Sequence, residues 1–147
     1  MPSNQSSAPL LQISSLLMAV AVMTGGCGRQ TEGFPELGQV EGRITLDGLS
    51  LADATVTFEP EKGRPSSGKT DEFGQFTLMY LDDVPGAVVG THTVRISTAS
   101  VVVDMEAGTE EFIPETVPAD YNTDSMLTAE VFLGENDISL DLKTPGR

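Results

Sequence analysis

TDEFGQFTLMY, residues 70–80, decides the fold. An Asp side chain accepts hydrogen bonds from backbone N–H groups just ahead of it, and Gly takes a positive φ at no steric cost. Asp71 to Gly74 therefore predict a tight reversal. Behind the turn, Phe76, Leu78 and Tyr80 alternate with Gln75, Thr77 and Met79, the period of two that marks a strand with one buried face.

The same pattern spreads outward from this stretch. Upstream, Val40, Ile44 and Leu46 alternate with Glu41, Arg43 and Thr45. Asp47 and Gly48 then make a turn, and Ala54, Val56 and Phe58 point inward against Thr55, Thr57 and Glu59. EKGRPSSG, residues 61–68, reads as a turn-rich loop before a short segment around Lys69 and Thr70. Downstream, His92, Val94 and Ile96 share one side of THTVRIS. Leu127, Ala129 and Val131 do so in LTAEV, and Ile138, Leu140 and Leu142 in NDISLDL. Six or seven short strands separated by turns, with no helical stripe, predict an all-β fold: a seven-stranded Greek-key β-sandwich. The segment between Thr98 and Ser125 is the least regular. It is the expected variable surface, with Val101 to Val103 extending an edge strand.

Charge and cysteine usage narrow the partners. The formal net charge of the 147 residues is -14, and the eight Lys and Arg are scattered from Arg29 to Arg147. A polyanion is repelled by such a chain, and nucleic acid is excluded as a partner. The lone cysteine, Cys27, has no internal disulfide partner, so the domain is held by packing alone.

No Lys, Arg, Asp or Glu precedes Cys27, and Leu16 to Met23 is an unbroken apolar run. A membrane-spanning helix needs about 20 apolar residues, whereas a secretory signal core needs roughly 7 to 15 followed by small residues. Thr24, Gly25 and Gly26 supply these, and Cys27 follows directly. The segment resembles a bacterial lipoprotein signal. The resemblance implies that residues 1–26 are removed, that the Cys27 thiol carries a diacylglyceryl thioether, and that 27–37 is a polar tether to a domain spanning 38–147. The implied location is the cell envelope, anchored to a bacterial membrane on its periplasmic or outer face.

GQVEGRITLDG, LADATVTFEP, GRPSSGKTDEFGQFTL, GTHTVRIS, VPADYNTDSMLTAEV and GENDISLDL, in that order, cover nearly all of residues 38–142. Together they resemble the transthyretin-like, carboxypeptidase regulatory-like domains of bacterial lipoproteins. In that family the aspartate and glycine of the TDEFGQF turn, here Asp71 and Gly74, shape a hairpin, and the aromatic, here Phe76, opens a core strand. Asp53 stands where the family often has Gly, and Asp120 where Lys is frequent. The resemblance implies a protein that is not an enzyme, carries no cofactor, and serves structural or adhesive contact with an envelope protein or glycan. A calcium- or carbohydrate-binding module of the same fold is the alternative. The related hydroxyisourate hydrolase relies on several histidines, and this chain has one.

Several side chains invite a sharper role and have a plainer one beside it. His92 lacks the further ligands or nucleophile that a metal or catalytic site requires, and packing is expected. Tyr121 and Asn122 either display a ring for sugar stacking or tuck against the sandwich. Glu106, Glu110, Glu111 and Glu115 lack the alternating spacing of a calcium loop, and Asp82 with Asp83, like Glu135 with Asp137, reads as solvated carboxylates. Ser66 and Ser67 have no cationic cluster to complete a phosphate cradle.

Overall fold

The computed structural model describes residues 33–146. Within them the chain forms β1 (Leu37–Leu46), β2 (Leu49–Ser50), β3 (Thr55–Pro60), β4 (Ser66–Lys69), β5 (Gln75–Thr77), β6 (Met79–Leu81), β7 (Val84–Pro85), β8 (Ala87–Val88), β9 (Gly90–Ser97), β10 (Ser100–Asp104), β11 (Thr109–Ile113), β12 (Thr128–Val131) and β13 (Gly134–Leu142). A single 3₁₀ turn, Ala119–Tyr121, precedes β12. The protein is all-β.

One sheet is organised around β1, which pairs in parallel with β13 from Gly38↔Gly134 to Leu46↔Leu142 and antiparallel with β2, β5 and β8. The second runs β12-β9-β3-β4-β6-β7. Val40, Ile44, Phe76, Leu140 and Leu142 from the first sheet meet Val56, Phe58, Val94, Ile96 and Val131 from the second in one buried cluster. The period of two places these residues correctly because burying one face fixes the register of the whole strand. Phe58 is fully buried at the centre, with the Phe76 ring 6.4 Å away.

The reversal at Asp71 is built as its residues dictate. Asp71 Oδ1 accepts hydrogen bonds from the N–H groups of Phe73 (2.9 Å) and Gln75 (2.8 Å). Gly74 adopts φ +75°, and its carbonyl accepts the Ile44 N–H at 2.8 Å, which staples the turn to β1. A Cβ on Gly74 would lie 2.4 Å from the Ile44 carbonyl oxygen. Asp53, at the position where the resemblance expects Gly, also has a positive φ, +56°, a conformation Asp tolerates better than most residues.

Three details differ from the expectations. The run 75–81 is not one strand: β5 pairs with β1, β6 pairs with β4 in the other sheet, and Leu78 between them donates its N–H to the Val40 carbonyl at 2.9 Å. The run thus turns a corner between sheets. Ser66 and Ser67, assigned to a loop, pair with Phe58 and Thr57 in β4. Val101 to Val103 extend neither sheet and form a separate two-stranded ladder with β11.

Phe58→Ala is expected to lower unfolding stability by about 3–5 kcal/mol, and Gly74→Ala by about 1–3 kcal/mol, whereas exposed Thr55→Ala should change it by less than about 0.5 kcal/mol. Urea midpoints measured at constant m-value check all three.

Candidate interaction site

The Thr98–Ser125 excursion contains an element that the sandwich does not cover. Three consecutive β-branched valines favour a strand in β10, and the chain reverses at its tip. There Asp104 Oδ1 accepts the N–H groups of Glu106 (2.9 Å) and Ala107 (3.0 Å), and Gly108, at φ +64°, donates its N–H to the Asp104 carbonyl at 2.8 Å. The return strand β11 pairs Val101 with Phe112, Val102 with Glu111 and Val103 with Glu110. Every residue of the two strands is exposed, including Val101 at 55%, Phe112 at 69% and, at the tip, Met105 at 92%. Opposed residues share a face, so Val101, Val103 and Phe112 lie on one side of the ribbon and Val102 and Ile113 on the other. Apolar side chains on both faces of an uncovered ribbon suit contact with another molecule.

The base of this arm is held by one carboxylate. Glu115 Oε1 accepts the Thr98 N–H (2.9 Å) and hydroxyl (2.7 Å) and the N–H groups of Thr116 (3.0 Å) and Val117 (2.9 Å). Its Oε2 accepts the Ser97 hydroxyl and the Asn122 amide, each at 2.6 Å. Burial raises the Glu115 pKa, but the hydrogen bonds from Ser97, Thr98 and Val117 outweigh it and lower the pKa from 4.5 to about 2. Beside it, Arg95 spans from Glu59 (2.9 Å) to the carbonyls of Asn122 and Thr123. Nothing in the spacing of Glu115 distinguishes it from the other glutamates of this stretch, so sequence alone placed it in a solvated run.

The remaining candidates fall elsewhere. His92 is buried in the core: Nε2 meets the Val88 carbonyl at 2.6 Å and the ring lies 5.7 Å from Phe58. Tyr121 packs against the core, and its hydroxyl accepts the Lys143 N–H at 3.3 Å, so its ring is not displayed for stacking. Asn122 belongs to the Glu115 clamp. Asp82 and Asp83 are exposed at the β6–β7 turn, and Ser66 is buried. Glu135 and Asp137 lie on the outer face of the first sheet, beside Gln39 and Glu41, along an open polar groove of about 1100 Å³. Among the described residues no three His, Cys, Asp or Glu side chains gather as a cation site. Cys27 and the signal segment lie outside the described residues.

No family model matches the chain, and no curated protein sequence does. Among solved structures the chain is similar to a 9R-lipoxygenase from Cyanothece PCC8801, with a TM-score of 0.42 and 15% identity, over 75% of this chain and 17% of that one. It is also similar to a DUF3823 family protein from Parabacteroides merdae ATCC 43184, with a TM-score of 0.37 and 16% identity, over 73% of this chain and 46% of that one. The chain thus spans less than half the length of either. The expectation that the chain is not an enzyme is corrected here, because one of these neighbours is an enzyme and a fold does not decide catalysis. The likeness is distant and establishes no activity for this chain.

Since Glu115 has a lower pKa folded than unfolded, its contribution to stability is complete above pH 4.5 and is lost as the pH falls toward 2. Glu115→Gln is therefore expected to melt at a lower temperature than the parent at neutral pH. The gap should narrow progressively between those two pH values, as read by circular dichroism melts.

Proposed function

We propose that the protein is a lipid-anchored β-sandwich of the bacterial cell envelope that makes protein or glycan contacts through the arm formed by β10 and β11. The observation that carries this reading is the arm itself, a ribbon with exposed valine and phenylalanine side chains, clamped at its base by Glu115 and left uncovered by the sandwich. The anchoring half rests on sequence: the apolar run Leu16–Met23, the small residues after it and the sole thiol at Cys27. Each buried methylene contributes about 0.8 kcal/mol, so two or more acyl chains hold a protein at a bilayer without a spanning helix. The acidic surface disfavours contact with anionic headgroups and keeps the domain hydrated above the membrane.

Mass spectrometry of the mature N-terminus after membrane extraction tests the anchoring directly. A terminus beginning at Cys27 with the added mass of acyl chains is expected, and Cys27→Ser should move the protein to the soluble fraction. A free terminus near Gly28, or retention of Met1, would overturn it.

A further inference from the structure

We infer that the turn between β12 and β13, with Phe132 and Leu133 at its tip, rests in the headgroup region of the bilayer that holds the anchor, so that the domain stands on this end and carries the arm at the other. The inference rests on the anchoring half of the proposed function and names a second, non-covalent contact with the same membrane.

Turns in water favour Gly, Asn, Asp, Pro and Ser, yet this one presents Phe132 at 61% and Leu133 at 69% exposure. The backbone holds them there. The Asn136 side chain accepts the Phe132 N–H at 2.9 Å and donates to the Phe132 carbonyl at 2.8 Å and to the Gln39 carbonyl at 3.0 Å, which fastens the turn to β1. Val131, just before, is buried, so the chain leaves the core and turns two large apolar side chains outward in succession. Side chains presented by a fixed backbone lose little freedom on meeting a partner.

Chain connectivity names the occupant. The parallel ladder aligns Gly38 with Gly134, so the start of β1 and this turn lie at the same end of the sandwich. The segment that carries Cys27 joins the domain there. Phe34, itself 66% exposed, meets Tyr80 edge-on with 6.0 Å between ring centroids, and it comes seven residues after Cys27, a contour of at most about 25 Å. A lipidated Cys27 thus keeps this end within reach of the bilayer surface. Gly90 pairs with Val131 at the same end, and β9 runs from it to Ser97, about 23 Å away, where Glu115 holds the base of the arm. A domain standing on the turn directs the arm away from the membrane.

Charge sets the lipid class. Among the described residues at this end, the exposed carboxylates of Glu36, Asp82, Asp83 and Glu135 outnumber the cations Lys62 and Arg64 of the β3–β4 loop, which Pro60 and Gly63 place beside His92 and Val88. The contact is therefore apolar in origin and favours zwitterionic over anionic headgroups.

The chain has no tryptophan, so Leu133→Trp introduces a single indole at the turn, and Phe73→Trp places one at the opposite end, in the reversal that Ile44 staples to β1. Both positions are exposed, and the affinity of an indole for the membrane interface is common to the two variants. Full-length protein carrying either substitution is reconstituted into phosphatidylcholine vesicles whose acyl chains are brominated near the headgroup. Leu133→Trp fluorescence is expected to be quenched several-fold more strongly than Phe73→Trp fluorescence, and less strongly when phosphatidylglycerol replaces part of the phosphatidylcholine. Equal quenching of the two variants, or none of Leu133→Trp, overturns the contact, and stronger quenching with phosphatidylglycerol overturns its apolar origin. The anchor is scored separately, by acyl mass at Cys27. Where that mass is absent the anchoring reading fails, the sole thiol is coupled to a maleimide-bearing lipid in the same vesicles, and the contrast between the two tryptophan variants decides the contact by itself.

Discussion

Everything in the body depends on the ladder between β1 and β13. It joins residues close to a hundred positions apart, as in the 2.6 Å hydrogen bond from the Thr45 hydroxyl to Asp141, and no disulfide within the domain shares its task. β1 also carries β2, β5 and β8, so this one strand is a shared frame for much of the first sheet. Such non-local pairing carries a loop-closure cost, because chain entropy is lost before the last strand contributes contacts. The C-terminal end is fastened to the same frame: Asp47 accepts the Thr144 N–H at 2.9 Å and its hydroxyl at 2.7 Å.

The core was legible because its rule is local. A strand with one buried face repeats every two residues, and Val56, Phe58, Val94 and Ile96 can be assigned from that period without knowing what they pack against. The Asp71 turn was legible for the same reason, since its donors lie two and four residues ahead of the acceptor. Where the corner between sheets falls was not, because Leu78 has the same neighbours in sequence whether β5 and β6 lie in one sheet or two. The arm was only half legible: the valines announced a strand, but its partner, β11, and its separation from both sheets follow from three-dimensional closure.

Glu115 shows the other limit. Six hydrogen-bond donors from Ser97, Thr98, Thr116, Val117 and Asn122 reach one carboxylate, and all six are polar side-chain or backbone N–H groups with no periodic signature. A glutamate in an acidic stretch looks solvated until the fold brings both ends of the excursion together. The sandwich places Ser97 at the end of β9 and buries Val117, and these two placements define where the carboxylate must sit.

The clamp and the arm are physically linked. A two-stranded ribbon is marginal in water, and the one built by β10 and β11 has no apolar surface of the body beneath it. Holding Thr98 and Thr116 against the same carboxylate brings the two ends of the ribbon together and removes much of the chain entropy that its pairing would otherwise have to overcome. Val117, buried just past the clamp, returns the chain to the core. Residues 100–113 are thereby relieved of any duty to the core, and their side chains answer to whatever lies outside. Six of them are large and apolar, a composition that solvent alone does not favour.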